Sequence, residues 1–258
     1  MVPKVLVLRA AGSNCDFETK YAFDKAGGQA DLVHVNRILS GQIKLEDYQI
    51  LAIPGGFTYG DDISAGKILA NQLKYKLADA LNTFYQGDKL IIGICNGFQV
   101  LVKAGLLPVV DFMAKQSVTL SNNDSGKFED RWIYLNVNDG PCVFTRNIKK
   151  TLYFPVAHAE GKFVPNDEMI LKSLKENNQI VFQYRSSGNG KADYPDNPNG
   201  SVNDIAGICD PTGRVLGLMP HPERHLDPMN NPLWTREGLS REGDGLILFK
   251  NAVNYFLS

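Results

Sequence analysis

The sequence has little that would staple or anchor it. Cysteine is scarce, four in 258 residues. Cys15, Cys95, Cys142 and Cys209 lie far apart and form no CxxC pair, which excludes a zinc ribbon and a thioredoxin-type redox motif. So few in a chain of this length do not make a disulfide scaffold, and a reducing compartment is expected. No apolar run approaches the roughly 20 residues of a membrane span. The opening run Val5 to Leu8 is too short for a signal-peptide core and no small-residue cleavage site follows it, so the expectation is a cytoplasmic protein. An excess of one charge is lacking too. Lys plus Arg is 27 against 28 for Asp plus Glu, a net charge of −1, which gives no general handle for nucleic acid or an anionic membrane. There is no internal repeat, low-complexity tract or linker. The expectation is one domain over residues 1–258, long enough to bury a core without staples.

The first half alternates strand and helix patterns. Lys4 to Leu8, Asp31 to Val35, Tyr48 to Ile53 and Lys89 to Ile94 read as strands, mostly apolar rather than alternating. Between them, a helix starts after Ser13, with its hydroxyl as cap and Asp16 three residues on. It keeps helical spacing through Phe17, Tyr21 and Ala22 and stops at Gly27-Gly28. A second helical stretch covers about 65–85, and a third Asn96 to Ala104. Continuous apolar strands separated by helices argue a mostly parallel central sheet with helices on both faces. The second half is less regular. Strands are expected at Trp132–Val137, Tyr153–Val156, Ile180–Tyr184, Ile205–Cys209 and Val215–Met219. The run Ser186 to Gly200 reads as a loop, and a final helix covers about 245–256 with Leu246, Phe249, Val253 and Phe256 on one face.

The segment Gly93-Ile94-Cys95-Asn96-Gly97 has the G-x-nucleophile-x-G form of a nucleophile elbow, with Cys as nucleophile. A sharp strand-to-helix turn strains the central residue, and glycines two before and two after let the neighbouring backbone pass. A lone glycine-flanked Cys reads equally well as a buried structural residue. Here an apolar strand precedes it and a helix follows, and the helix N-terminus favours a thiolate and can hold an oxyanion.

A thiolate needs a base, and of four histidines His221 has the context. It follows the strand Val215–Met219 within Pro220-His221-Pro222-Glu223. Glu223, two residues on in an extended segment, could orient the imidazole as the third member of a triad. Taken alone, the same residues read as a proline-rich turn with a surface His. His34, inside a strand pattern, reads as a core or sheet-face residue. His221 and His225 are four apart, but Pro222 intervenes and neither HExxH nor HxxEH is present, so no metal is expected. Pro54-Gly55-Gly56 ends another strand and could aim backbone N–H groups at an oxyanion on Cys95. It is neither GxGxxG nor a Walker A loop, and a plain strand-to-helix turn would look the same.

In chain order, Gly12-Ser13-Asn14-Cys15-Asp16, Gly55-Gly56-Phe57-Thr58-Tyr59-Gly60-Asp61, Gly93-Ile94-Cys95-Asn96-Gly97-Phe98-Gln99, His158-Ala159-Glu160-Gly161, Asn197-Pro198-Asn199-Gly200-Ser201 and Pro220-His221-Pro222-Glu223-Arg224 resemble the triad-type class I glutamine amidotransferases. The likeness is greatest to the branch that supplies glutaminase subunits to phosphoribosylformylglycinamidine synthase. The resemblance implies a flavodoxin-like α/β fold, with Cys95 as nucleophile, His221 as general base and acid, and Glu223 as the orienting carboxylate. It also implies an oxyanion hole from backbone N–H groups near Gly56 and of Asn96, with Gln99 and Gly55 contacting L-glutamine. The implied partners are a large synthetase subunit (PurL type), which uses ATP and Mg itself, and a small PurS-type subunit. No cofactor is expected in this chain. Cys15 has no base near it in sequence and reads as structural. The rival readings are another cysteine hydrolase of the same fold, peptidase-like or DJ-1-like, and a glutamine-sensing subunit without chemistry. The late His-Pro-Glu counts against the first and the intact Cys95, His221 and Glu223 against the second.

Overall fold

The computed structural model describes residues 1–111, 115–186 and 191–257. Its elements run β1 (Lys4–Arg9), α1 (Asp16–Lys25), β2 (Gln29–His34), α2 (Val35–Leu39), β3 (Ile50–Ile53), α3 (Lys67–Lys76), α4 (Ala78–Gln86), β4 (Leu90–Ile94) and α5 (Asn96–Ala104). Then follow β5 (Val118–Ser121), β6 (Glu129–Val137), β7 (Leu152–His158), β8 (Lys162–Pro165), α6 (Glu168–Glu176), β9 (Ile180–Arg185), β10 (Ile205–Cys209), β11 (Val215–Leu218), α7 (Trp234–Glu237) and α8 (Leu246–Asn254).

Nine strands make one sheet in the order β2-β1-β3-β4-β11-β10-β9-β6-β7, and β5 pairs with β8 apart from it. The strands from β2 to β11 are parallel, as the apolar runs imply, and from β11 outward each pair is antiparallel. β3, β4 and β11 are buried at every residue, which requires cover on both faces. The register shows that cover. Val5 pairs with Ile50, and a Cβ on Gly28 would touch both Val5 and Val253 of α8, so α8 lies on the Val5 face. Gly93 pairs with Ile53, three residues from Ile50 and hence on the other face. There α5 packs, close enough that a Cβ on Gly93 would sit 2.6 Å from the Gly97 carbonyl oxygen. α1 joins α8 through an edge-to-face contact of Phe23 and Phe249 at 4.9 Å.

Several local expectations shift. Ser13 does not cap α1. Its residue pairs with Gly56 and its hydroxyl accepts from the Ala10 N–H, so the helix begins only after Cys15. The stretch 65–85 is two helices, because Leu77 leaves helical geometry (φ −124°, ψ 10°) to bury its side chain at a kink that no Gly or Pro marks. His34 is exposed at the end of β2, where its ring accepts from the Asn36 N–H and caps α2. β5, β8 and α6 have no counterpart in the sequence pattern. Each strand has only four residues, although Asp167, whose side chain accepts from the Ile170 N–H, is a legible cap for α6. Of the loop expected from Ser186 to Gly200, residues 187–190 lie outside the described residues. The remainder has turns without helix or strand.

A very close backbone approach occurs at position 97, under the elbow. A Cβ on Gly97 would stand 1.9 Å from the Ile53 carbonyl oxygen. Ala is the better helix former by about 1 kcal/mol, but a backbone collision of this kind costs about 1–3 kcal/mol or more. Gly97→Ala is therefore expected to destabilise the fold, read as a lower urea midpoint with an unchanged m-value. A higher midpoint would show that α5 has room to move off β3.

Candidate active site

Adjacent parallel strands place their carboxyl ends side by side, and four of them converge here. β1 leads into the Cys15 loop, β3 into Gly55-Gly56, β4 into Cys95 and β11 into His221. Crevices beyond the carboxyl ends of parallel strands are where α/β sheets put their sites.

Cys95 joins β4 to α5 with φ 52° and ψ −108°, a strained conformation for a residue with a Cβ. Its N–H is tied to the Leu218 carbonyl at 2.8 Å. Its Sγ lies 3.7 Å from the Ala157 carbonyl oxygen, and the residue is 6% exposed. As the first residue of α5, Asn96 has a backbone N–H with no intrahelical acceptor. The Gly56 N–H has no acceptor among the described residues, and its φ of 141° with Gly12 and Asn14 backbone pressed against it leaves no room for a side chain.

The His221 ring is buried and its Nδ1 is 2.6 Å from Glu223 Oε1. The two residues are not in an extended segment as expected. Pro222 starts a short 3-10 turn over 222–224, and that turn brings the carboxylate back to the ring. The His221 N–H is anchored to the Pro155 carbonyl at 2.9 Å. Burial by itself would push the imidazole toward neutrality, but the Glu223 carboxylate and then the two sulfurs, Cys95 and Cys15, hold it well above its usual value. Its Nε2 has no hydrogen-bond partner among the described residues.

Gly55, expected to contact L-glutamine, lies behind the pair and does not line the cavity in front of Cys95. A Cβ there would come 2.8 Å from His221 Cε1, 3.2 Å from Cys15 Sγ and 3.4 Å from Cys95 Cβ. The cavity in front of Cys95 is lined by Gly56, Phe57, Asp61, Gln99, His158 and Glu160, among others. Gln99 lines it, with its amide already engaged. Its Nε2 donates to the Glu160 carbonyl at 2.5 Å, and its Oε1 accepts from Asn96 Nδ2. Asn96 in turn donates to Asp61 and accepts from the Thr58 hydroxyl, so the cavity floor is one hydrogen-bonded unit.

Two motifs that sequence reasoning left without a role become clear. Asn123 donates to the His158 and Lys127 carbonyls, and its Oδ1 accepts from the Gly161 N–H. The His158 Nδ1 is 3.1 Å from that same oxygen and so carries the proton there. Burial first, then the neighbouring His221, push His158 down to about 3, so it stays neutral. Asn199 donates to the Gly161 carbonyl and the Tyr184 hydroxyl and accepts from Ser201. Asn197 accepts from the Gly200 and Ser201 N–H groups. The Asn197–Ser201 loop thus clamps the turn after β7 that forms the cavity wall.

Cys15, which reads as structural in the sequence, lies beside His221. It is free and buried, and its Sγ lies 4.0 Å from His221 Nδ1 and 3.1 Å from Arg224 Nη2. Its place in the Gly12–Asp16 motif was the only signal. Cys15, His221 and Glu223 present ligand-type atoms all within 4.8 Å of one another. His225 stands apart from this group, with Nδ1 2.7 Å from the Tyr153 carbonyl and its ring edge-on to Trp132.

The charge on His221 is testable. In an NMR titration of the His221 ring, the wild type is expected to stay protonated through neutral pH. A carboxylate favours the charged ring, so Glu223→Gln is expected to move deprotonation to lower pH. Identical titrations would show that Glu223 does not set the charge.

Residues 2–256 match the family described as the CobB/CobQ-like glutamine amidotransferase domain. The chain is 49% identical to the phosphoribosylformylglycinamidine synthase subunit PurQ of Dehalococcoides mccartyi, covering 98% of this chain and 97% of that protein. It is 48% identical to the PurQ subunit of Methanococcus maripaludis, covering 99% and 98%. Among solved structures, that of PurLQS from Thermotoga maritima has a chain 31% identical, with a TM-score of 0.75 over 99% of this chain and all of that one. The chain belongs to the glutamine amidotransferase family, in the group of phosphoribosylformylglycinamidine synthase PurQ subunits.

Proposed function

We infer that this chain is the glutaminase subunit of phosphoribosylformylglycinamidine synthase, hydrolysing L-glutamine to glutamate and ammonia. The observation that carries the reading is the elbow cysteine, Cys95 at φ 52°, set beside the buried His221–Glu223 pair at the mouth of a small cavity. The names of its relatives at up to 49% identity support it. Cys95 attacks the side-chain amide carbon. The backbone N–H groups of Gly56 and Asn96 receive the developing oxyanion, and Gln99 shapes the wall against which the substrate lies. His221, oriented by Glu223, protonates the departing ammonia, leaving a γ-glutamyl thioester. It then takes a proton from the water that releases glutamate. Each N–H aimed at an oxyanion is worth about 3–4 kcal/mol of barrier.

The ammonia passes to a PurL-type synthetase, which spends ATP to make formylglycinamidine ribonucleotide, with a PurS-type subunit completing the complex. The solved PurLQS assembly with the related chain supports this partnership. The chain acts as one domain in the cytoplasm, uses no cofactor of its own and binds neither nucleic acid nor membrane. Among the described residues no helix is long and apolar enough to cross a membrane.

Two variants test the reading. Cys95→Ala is expected to abolish glutamine-dependent synthesis by the assembled complex, about 10³-fold or more, and to spare synthesis from added ammonia. Loss of both activities would mean that the change disrupted assembly. Gly55→Ala places a methyl against His221 and both sulfurs. It is expected to lower glutaminase kcat about 100-fold with KM little changed, since displaced catalytic groups lose transition-state stabilisation and the cavity wall is elsewhere. A large rise in KM with kcat intact would instead put position 55 in the substrate space.

A further inference from the structure

The catalytic imidazole has two edges, and the mechanism uses only Nε2. On the Nδ1 edge stand a carboxylate and a second thiol. Glu223 Oε1 is 2.6 Å from Nδ1 and Cys15 Sγ is 4.0 Å from it. The Glu223 side chain is fully buried, and its second oxygen, Oε2, has no hydrogen-bond partner among the described residues. A buried carboxylate oxygen without a donor is costly. Thiolate, imidazole and carboxylate together are the donor set of a three-ligand zinc site with an open fourth position. Asn14 Oδ1, 3.1 Å from Cys15 Sγ, stands beside that set.

We propose that Cys15, His221 Nδ1 and Glu223 form an inhibitory site for a thiophilic divalent cation of the zinc class, which switches the triad off by occupying the back of its histidine. Ligand atoms in a tetrahedral zinc site lie about 3–4 Å apart, from metal–ligand bonds of about 2.0–2.3 Å. The set needs only a modest closing of Cys15 and a slight opening of the His221–Glu223 contact. Binding releases two protons, one from the Cys15 thiol and one from His221 Nδ1, and leaves a neutral ring with its proton on Nε2. That tautomer can neither accept a proton from Cys95 nor donate from a charged state, so turnover stops while Cys95 is untouched. Burial keeps Cys15 a thiol without metal, and the Arg224 guanidinium 3.1 Å away supports its anion once the proton leaves. That same positive charge opposes the cation, but it is already paired with Glu18 at 3.2 Å on the solvent side, which offsets it. The loss of glutaminase activity rests on the function inferred above. Metal binding does not.

The test separates the two. Co2+ is titrated into the full chain, and the thiolate-to-cobalt charge-transfer absorption is followed together with proton release in weak buffer. Zn2+ affinity is then read by competition. The expected result is a one-thiolate band with two protons released per metal in the wild type and in Cys95→Ser. The band is lost, and affinity falls more than about 100-fold, in Cys15→Ser, which is nearly isosteric. Glu223→Gln, which preserves shape, weakens binding while keeping the band. Measured against its own turnover without metal, Cys15→Ser is expected to keep its glutaminase activity when Zn2+ is added, whereas the wild type loses it. A band that survives Cys15→Ser and disappears in Cys95→Ser would put the metal between Cys95 and Nε2 and overturn the proposal. Absence of any band in the wild type would overturn it as well.

Discussion

The carbonyl oxygen of Ile53 stands where a side chain at position 97 would have to be. The rest of the site depends on this close approach of α5 to the sheet. Because Gly97 has no Cβ, α5 can start directly over the end of β3. Because Gly93 has none, the same helix can lie down on β4. The residue between them has to turn the chain from strand to helix in a single step, and Cys95 does so at φ 52°. The strain at Cys95 is held by the N–H bond to Leu218 and by packing against Gly55. It leaves the sulfur at a helix N-terminus, where partial positive charge favours an anion.

Around that point the molecule is built from two kinds of sheet with different tasks. The inner parallel strands are buried on both faces, and together with β1 they deliver Cys15, Gly55, Cys95 and His221 to one edge. The antiparallel extension delivers the opposite wall through Ala157, His158 and Glu160 at the end of β7. That wall is polar, and α5 reaches it through Gln99, which donates to the Glu160 carbonyl. It is braced further by the side-chain amides of Asn123 and Asn199, whose donors and acceptors are nearly all engaged. A network of this kind fixes position well, because an amide placed wrongly would leave a buried polar atom unpaired.

The electrostatics follow from burial. Cys15, His158 and His221 are all buried close together, and their neighbours drive their protonation apart. His158 is forced neutral, the Cys15 thiol is pushed up, and His221 is held charged by the carboxylate at 2.6 Å. Pairs whose environments push their protonation in opposite directions are the usual mark of acid–base work. Here the division tells the two histidines apart. His158 stays neutral in the wall, and His221 carries the charge beside Cys95.

Local pattern was enough to identify the elbow, the strand–helix alternation, the parallel half of the sheet and the late His-Pro-Glu. Each is written in residues a few positions apart, and backbone sterics or periodicity reads it directly. The same pattern misread Ser13 as a cap, because its partner Gly56 is more than forty residues away. It also could not see that Cys15 touches His221 across 206 residues of chain. Nor could it show that Gly55 packs behind Cys95 and His221, or that Asn197–Ser201 braces the cavity wall. The chain itself determined which reactive groups were available, since the flanking glycines and the strand–helix pattern put Cys95 on a sharp turn whatever the rest of the fold does. The packing of β1, β3, β4 and β11 into one register decided which groups share the space at their ends. Side-chain neighbours across parallel strands are set by the tertiary register, and no local rule encodes it.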